Sequence, residues 1–279
     1  MNVAVSVIIP SYKPQAYLYE CLDSLCCQTL PKECFEVILV LNGCKEPYLE
    51  QINKYASCHN NLPLHVIQID LGGVSNARNI AISKSRGDYI TFIDDDDYVS
   101  PSFLEELLAV SDEHTVGLCY PYAFNDGEEG RQLPSKVTLE YEKKSIHGKQ
   151  KSVKVRRFFS GPWAKMFHRS IIGDRRFDTR FSVGEDSQFM YLISDRIPMV
   201  AFTSRNAIYY RRFRNESATT SRYSFTKVLK NCWLRFKINT SIYFSSLSTR
   251  SFRRYLYSVM GLCSILLNRM IRGSITNNR

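Results

Sequence analysis

Four consecutive aspartates, Asp94 to Asp97, close the segment Gly87-Asp-Tyr-Ile-Thr-Phe-Ile-Asp-Asp-Asp-Asp-Tyr98. The run Tyr89 to Ile93 before them is apolar and β-branched, the pattern of a buried strand. Carboxylates crowded at the mouth of a strand repel one another, and leaving all four ionised is costly without a cation. A donor set made only of hard oxygens suits Mg²⁺ or Mn²⁺, ions that usually act together with substrate phosphates. An acidic loop that simply stays in water is the bland alternative. The expectation is a metal-and-phosphate site, with the reaction left open.

The elements that must position this cluster follow from periodicity. Val3 to Ile9 reads as a strand ended by Pro10, and Gln15 to Leu30 has helical spacing at Leu18, Cys21, Leu22, Leu25 and Cys26. Phe35 to Leu41 is a second strand closed by the turn signal Asn42-Gly43. A helix around Glu46 to Ser57, a strand at Leu64 to Ile69 and a helix at Val74 to Lys84 lead to the strand of Tyr89. Repeated strand–helix alternation predicts an α/β fold, a mainly parallel central sheet with helices on both faces. Ligands in such sheets gather at the carboxyl ends of the strands. Pro10-Ser11-Tyr12, Asn42 and the four aspartates all fall on that rim. Further on, the pattern predicts a helix over Ser102 to Val110 and a strand over Leu118 to Phe124. Glu128 to Arg157 is polar and placed outside the core, a helix follows Gly184-Glu-Asp186, and a strand lies near Met199 to Thr203.

With 279 residues the chain can bury a full core. Nine cysteines, an odd number with no C-x-x-C pair, argue against a disulfide framework or a thiolate zinc site. The opening Met-Asn-Val-Ala-Val-Ser-Val-Ile-Ile-Pro10 has no basic leader and runs into a strand, so a cytoplasmic location is expected. The net charge of +10 is uneven: Arg222 to Arg279 holds eleven Lys and Arg and no acid, while residues 1 to 221 have 26 basic against 27 acidic. The chain is therefore divided into a near-neutral domain, 1–221, and a basic amphipathic helical extension, 222–279. The longest uncharged stretch of the tail, Tyr255 to Asn268, is 14 residues, too short to span a bilayer. Its aromatics, with Ile265, Leu266 and Ile271, suit a helix lying on an anionic membrane surface. Docking on the domain or formation of a homodimer is the alternative.

The ordered blocks Val5-Ser-Val-Ile-Ile-Pro-Ser-Tyr12, Leu41-Asn-Gly43, Ala77-Arg78-Asn79, Gly87 to Asp97, Lys165, Gly184-Glu185-Asp186 and Tyr210-Arg-Arg-x-Arg-x-x-Ser217 resemble the family 2 glycosyltransferases. The resemblance covers about residues 3 to 220. It implies the GT-A fold and transfer of a sugar, with inversion, from a nucleotide diphosphate sugar. By that similarity Pro10, Ser11 and Tyr12 line the nucleotide pocket. Asn42 stands where the family often has an Asp that reads uracil. An Asn amide can accept from N3–H and donate to a carbonyl, although Asn42-Gly43 also reads as a plain turn. Lys13 and Ala81 stand where Asn and Gly are common. Arg78 is placed on the diphosphate, which a guanidinium fork suits. Asp94 and Asp96 resemble the paired carboxylates of the D-x-D element, with Asp96 the direct metal ligand and Asp95 near the ribose. Arg212, Arg214 and Ser217 resemble an element that closes on the diphosphate.

Asp186 is the expected catalytic base, since an attacking hydroxyl must lose its proton. Its place at a helix start also fits a plain dipole interaction. Glu185 and Trp163 are set on the acceptor side, Trp163 either as a sugar platform or as core. The implied reaction takes a UDP-sugar to a hydroxyl of a glycan or lipid-linked acceptor, in surface polysaccharide synthesis. The Gly-rich loops of a nucleotidyltransferase or a dinucleotide-binding dehydrogenase are absent after the first strand. A nucleic-acid-binding protein would explain the basic tail but not seven ordered blocks, so no nucleic acid is expected as partner.

Overall fold

The computed structural model describes residues 3–181, 183–214, 225–245 and 252–276. Ser217 and the 221/222 division lie outside the described residues, as do the side chains of Ile265, Leu266 and Ile271. Strands β1 (Val5–Ser11), β2 (Phe35–Asn42), β3 (Leu64–Ile69) and β4 (Tyr89–Phe92) alternate with helices α1 (Tyr17–Cys26), α2 (Tyr48–Cys58) and α3 (Val74–Lys84). Then come β5 (Tyr98–Val99), α4 (Phe103–Val110), β6 (Thr115–Leu118), β7 (Tyr120–Asn125), α5 (Lys136–Lys144) and β8 (Gln150–Lys151). β9 (Lys165–His168), α6 (Arg169–Ile172), α7 (Glu185–Ile193), β10 (Met199–Phe202) and β11 (Ile208–Phe213) complete the body, and α8 (Phe225–Ser245) and α9 (Phe252–Thr276) follow.

The main sheet has the order β3-β2-β1-β4-β9-β6-β10-β8. β1 pairs in parallel with both β2 and β4, while β9 runs antiparallel between β4 and β6. Side chains alternate across the strands, so each strand feeds two cores. Val7, Ile9, Val37 and Leu39 pack on one face, and Ile8, Ile38 and Val40 on the other. Burial on both faces explains why these strands read as nearly unbroken apolar runs. The expected mainly parallel α/β architecture is the one observed.

Pro10 does not end β1, which continues to Ser11. The carbonyl of Ile8 accepts from Ile93 on the β4 side, and Pro10, two residues on, turns its backbone the same way. Because β4 stops at Phe92, the missing N–H of Pro10 breaks no ladder bond. A second correction concerns 118–124. Leu118 pairs with Lys165 in the main sheet, whereas Tyr120 pairs with Ile208 in a small sheet of order β5-β11-β7. One apolar run thus serves two sheets, with Cys119 at the crossing. Nor is 128–157 all peripheral: Tyr141 and Val155 are buried, and the Tyr141 hydroxyl donates to the Thr203 carbonyl at 2.7 Å. The tail is docked through α8, where the Tyr191 hydroxyl of α7 donates to the Asn239 carbonyl and Arg235 Nη2 donates to Ser187 Oγ at 2.6 Å.

Candidate active site

The carboxyl ends of β1, β2 and β4 meet at one rim, and two ties to the backbone and one close approach shape it. Asn42 Nδ2 donates to the Ser11 carbonyl at 2.7 Å, and its Oδ1 accepts from the Gly73 N–H at 2.9 Å. The amide expected to read uracil is therefore buried and engaged on both sides, fastening β1 and β2 to the start of α3. This arrangement gives Asn42 a structural role at the rim. Gly43, at φ +93°, lets the Tyr12 ring lie across the end of β2; a Cβ there would sit 2.7 Å from Tyr12 Cε2. Tyr12 is 56% exposed and offers a flat aromatic face beside the rim.

The four aspartates do four different things. Asp94 Oδ1 accepts from Arg78 Nη2 at 2.8 Å. Asp95 Oδ2 accepts from Ser11 Oγ at 2.6 Å, and burial first, then Asp96 and Asp94, push its carboxyl up to about 7. Asp96 Oδ2 pairs with Arg214 Nη2 at 2.6 Å, and burial followed by Asp94 raises it despite that arginine. Asp97 is buried: Oδ2 accepts from the Tyr209 hydroxyl at 2.7 Å and Oδ1 from the Arg212 N–H at 2.8 Å. Burial and the neighbouring Asp96 and Asp94 hold Asp97 well above the usual carboxylate range. The Tyr209 hydroxyl also accepts from the Asp94 N–H, so the whole acidic turn hangs on β11. The motif signal could not separate Asp97 from its neighbours, and nothing in the sequence marked Tyr209.

Asp186, in the first turn of α7, accepts from Arg78 Nη1 at 2.6 Å. Burial raises its carboxyl, Asp94 adds to the rise and Arg78 opposes it. Glu185 beside it is also raised, by burial and then by Asp186. Arg78, on α3, is thus a strut between Asp94 and Asp186, with its side chain only 3% exposed and its guanidinium over the Phe177 ring. Both ends of the fork meet carboxylates, which gives Arg78 a positioning role between them. Arg212 is engaged in the same way. Its side chain is buried on β11, where it meets Glu20, Asp126 and Glu129 and donates through Nε to the Asp96 carbonyl at 3.1 Å. Arg214 is the cation of this group that remains partly exposed, with its charge on Asp96.

On the other side of Asp186 lies the segment Gly161 to Lys165. A Cβ on Gly161 would come within 3.5 Å of Asp186 Oδ2. Ala164 holds a left-handed φ of 56°. The buried Lys165 Nζ donates to the Gly161 and Trp163 carbonyls at 2.6 Å each, and burial pushes its pKa down to about 7. Lys165 was visible in the sequence only as part of a block; its role is to brace the loop beside the carboxylate. Trp163 is buried against Tyr209, with Arg211 over its ring, and so belongs to the core rather than to a sugar platform.

Among the described residues no three Asp, Glu, His or Cys side chains converge as a ready-made metal cage. The chemistry of the rim still fits a hard divalent ion. Half-buried carboxylates with raised pKa values crowd the rim, and such ions commonly take one or two carboxylates plus phosphate oxygens and water.

Comparison with known proteins agrees with this geometry. A poly(ribitol-phosphate) beta-glucosyltransferase of Bacillus spizizenii is 30% identical over 202 residues, 71% of this chain and 31% of that protein. A putative glycosyltransferase, EpsH, of Bacillus subtilis is 30% identical over 176 residues, 62% of this chain and 49% of that protein. The chain thus spans from about a third to a half of the length of these two relatives. The structure of Staphylococcus aureus TarS 1–349 in complex with UDP-GlcNAc superposes with a TM-score of 0.71 at 24% identity, covering 96% of this chain and 72% of that one. At that identity the likeness speaks for the fold, which is of the GT-A type. Residues 6–176, from the first strand through the acidic turn to α6, match the model named Glycosyl transferase family 2, and the chain belongs to that family.

Proposed function

We propose that the chain is an inverting transferase that moves a sugar from a UDP-sugar to a hydroxyl of a glycan or lipid-linked acceptor in surface polysaccharide synthesis. The observation that carries this reading is the carboxylate of Asp186, held by Arg78 beside the acidic turn and next to the Gly161 loop. The acceptor oxygen forms a bond to the anomeric carbon, its proton passes to Asp186, and the bond from that carbon to the diphosphate oxygen breaks. Arg78 opposes the rise that burial gives the Asp186 carboxyl and fixes its direction, while the braced Gly161–Lys165 loop limits where the acceptor can approach. Pro10, Ser11 and Tyr12 bound the nucleotide, Asp95 lies on the ribose side, Arg214 is left to meet the diphosphate, and Glu185 stays on the acceptor side. Asp96, with Asp94 behind it, would hold Mn²⁺ or Mg²⁺, which when bound supplies positive charge to the leaving diphosphate. The choice of UDP is supported by the TarS complex with UDP-GlcNAc, and that of a surface polymer by relatives named for poly(ribitol phosphate) and minor teichoic acid.

The same reading places the enzyme at the cytoplasmic face of the membrane. No described helix is long and apolar enough to cross a bilayer. Trp233, Phe244, Phe252 and Met260 are nevertheless exposed on α8 and α9, which also carry Lys230, Lys237 and Arg253, as a peripheral amphipathic surface requires. Incubation with a panel of UDP- and GDP-sugars and Mn²⁺ tests the enzymatic assignment: slow release of UDP from one UDP-sugar is expected. Hydrolysis of GDP-sugars alone, or of none, overturns it.

A further inference from the structure

α7 carries the proposed base in its first turn, and that turn has no side-chain cap of its own. Gly184 stands at the cap position with a left-handed φ of 81°. Among the described residues no strand or helix lies between α6 and α7, so the turn is entered from a loop. A helix start leaves its first backbone N–H groups without intrahelical partners, and holding it in place needs contacts from elsewhere. Arg78 fixes one oxygen of Asp186, but it does not hold the backbone from which that side chain projects.

That hold comes from α8. Arg235 Nη2 donates to Ser187 Oγ at 2.6 Å, and Ser187 Oγ donates in turn to the Gly184 carbonyl at 3.1 Å. The guanidinium also fills the space over Gly184, where a Cβ would sit 2.6 Å from Nη1 and 3.3 Å from Cζ. Arg235 thus bears on the two residues that flank Glu185 and Asp186. Further along the same pair of helices, the Tyr191 hydroxyl donates to the Asn239 carbonyl and pins α7 to α8 a second time.

Electrostatics makes arginine a poor choice here for packing alone. The N-terminal end of a helix is positive and favours acids, so a cation beside it is unfavourable. Burial pulls the Arg235 pKa down, Cys232 and Glu185 pull it back, and arginine stays charged throughout. An apolar side chain would fill the same space without desolvating a charge. Local rules of this kind are broken mostly at functional sites.

We propose that Arg235 is a positioning residue for the reaction: through Ser187 and Gly184 it sets the first turn of α7, and with it the direction from which Asp186 meets the attacking oxygen. Two arginines then share the base, Arg78 aiming the carboxylate and Arg235 holding the turn that carries it. The inference rests on Asp186 being that base. Arg235 lies beyond residues 6–176, which match the family, so α8 is a working part of the site rather than an appendage. Trp233 and Lys237 of the same helix are exposed, so the helix proposed to meet the membrane also sets the base.

The test uses the full chain and reads UDP release from the UDP-sugar that the parent hydrolyses with Mn²⁺. Water there takes the place of the acceptor and gives its proton to Asp186. Arg235→Met keeps the bulk, removes the donors and should lower kcat by about tenfold, within the scale of a misplaced catalytic group. The donor KM and the UDP affinity should stay at the parent values. Arg235→Lys, which can still donate to Ser187 Oγ, should recover most of the rate. Ser187→Ala breaks the same link from the α7 side and should also lower kcat. Arg235→Met combined with Ser187→Ala should be no slower than Arg235→Met alone, because both remove one contact. Should Arg235→Met not fold, Ser187→Ala decides. An unchanged kcat, losses that multiply in the double variant, or a lower Tm with kcat retained overturns the inference. Asp186→Asn is run beside them: parent rates there overturn the base reading and this inference with it. A loss of about a hundredfold there, with none at Arg235 or Ser187, strikes only the positioning role.

Discussion

Replacing Arg78 by Met separates the two roles that this residue has been given. On a diphosphate it would be a binding residue, and its loss would weaken donor affinity with little effect on the fold. In the structure it is a strut whose side chain is 3% exposed, with ties of 2.6 Å to Asp186 and 2.8 Å to Asp94. Removing one partner of a buried ion pair typically costs about 3–5 kcal/mol, because the remaining charge is left uncompensated. Here two carboxylates are left, but they are 26% and 34% exposed, so solvent screens part of the loss. The lower end, about 3 kcal/mol, is the expected destabilisation, or roughly 6–12 °C in Tm for a domain of this size. Arg78→Lys keeps a charge without the fork and should fall between the two. Adding Asp94→Asn to Arg78→Met should recover part of the loss by removing the repulsion between Asp94 and Asp186. Denaturant unfolding and UDP calorimetry on the same preparations provide the comparison. An Arg78→Met protein within about 0.5 kcal/mol of the parent, the ordinary range for surface changes, and with weakened UDP binding, would refute the strut and restore the diphosphate contact.

Asp186→Asn should bind donor nearly as well as the parent yet transfer at least about a hundredfold more slowly, the usual scale for a lost general base; single-turnover rates beside UDP titrations check this. Because burial raises the Asp186 pKa, transfer in the parent should rise with pH as that carboxyl loses its proton, with a midpoint above the ordinary carboxylate value; a flat profile from pH 4 to 8 would point to another base. UDP affinity should depend on Mn²⁺ and fall with EDTA, and Asp96→Asn should abolish that dependence; equal affinities throughout would remove Asp96 from the metal site. Full-length protein should sediment with anionic but not neutral liposomes and be released by high salt, as polybasic attraction requires; retention after a high-salt wash, or indifference to anionic lipid, would count against a peripheral surface.

The fold was legible because its elements carry their own periodicity. β3 and α3 were bounded in the sequence as they stand in the structure, and the acidic turn announced itself by composition. The direction in which a side chain points was not legible. Arg78 meets Asp186 across 108 positions and Arg212 meets Glu20 across 192, and neither encounter leaves a trace in local spacing. Asn42 had two readings of equal standing, and the approach of Gly73, which ties it to the start of α3, leaves no trace in the sequence. The break at Cys119 was hidden for a related reason: both halves of 118–124 are apolar, and only the partner strands, β9 and β11, tell the two sheets apart.

These long-range ties also distinguish carboxylates that look equivalent in the sequence. Asp97 is locked between Tyr209 and the backbone of Arg212, Asp95 is held by Ser11, and Asp94 is bound to an arginine enclosed by the fold. An ion drawing on Asp94 alone would have to compete with Arg78, which also orients Asp186, so metal binding there would disturb the base. Asp96 differs, since its charged partner is Arg214, a side chain one quarter exposed at the end of β11. Exchange of that guanidinium for an ion and a diphosphate keeps the local charge balanced and leaves the Arg78 strut in place. The division of labour therefore favours Asp96 as the direct ligand, with Asp94 as the link through which occupancy of the rim is felt, by way of Arg78, at Asp186.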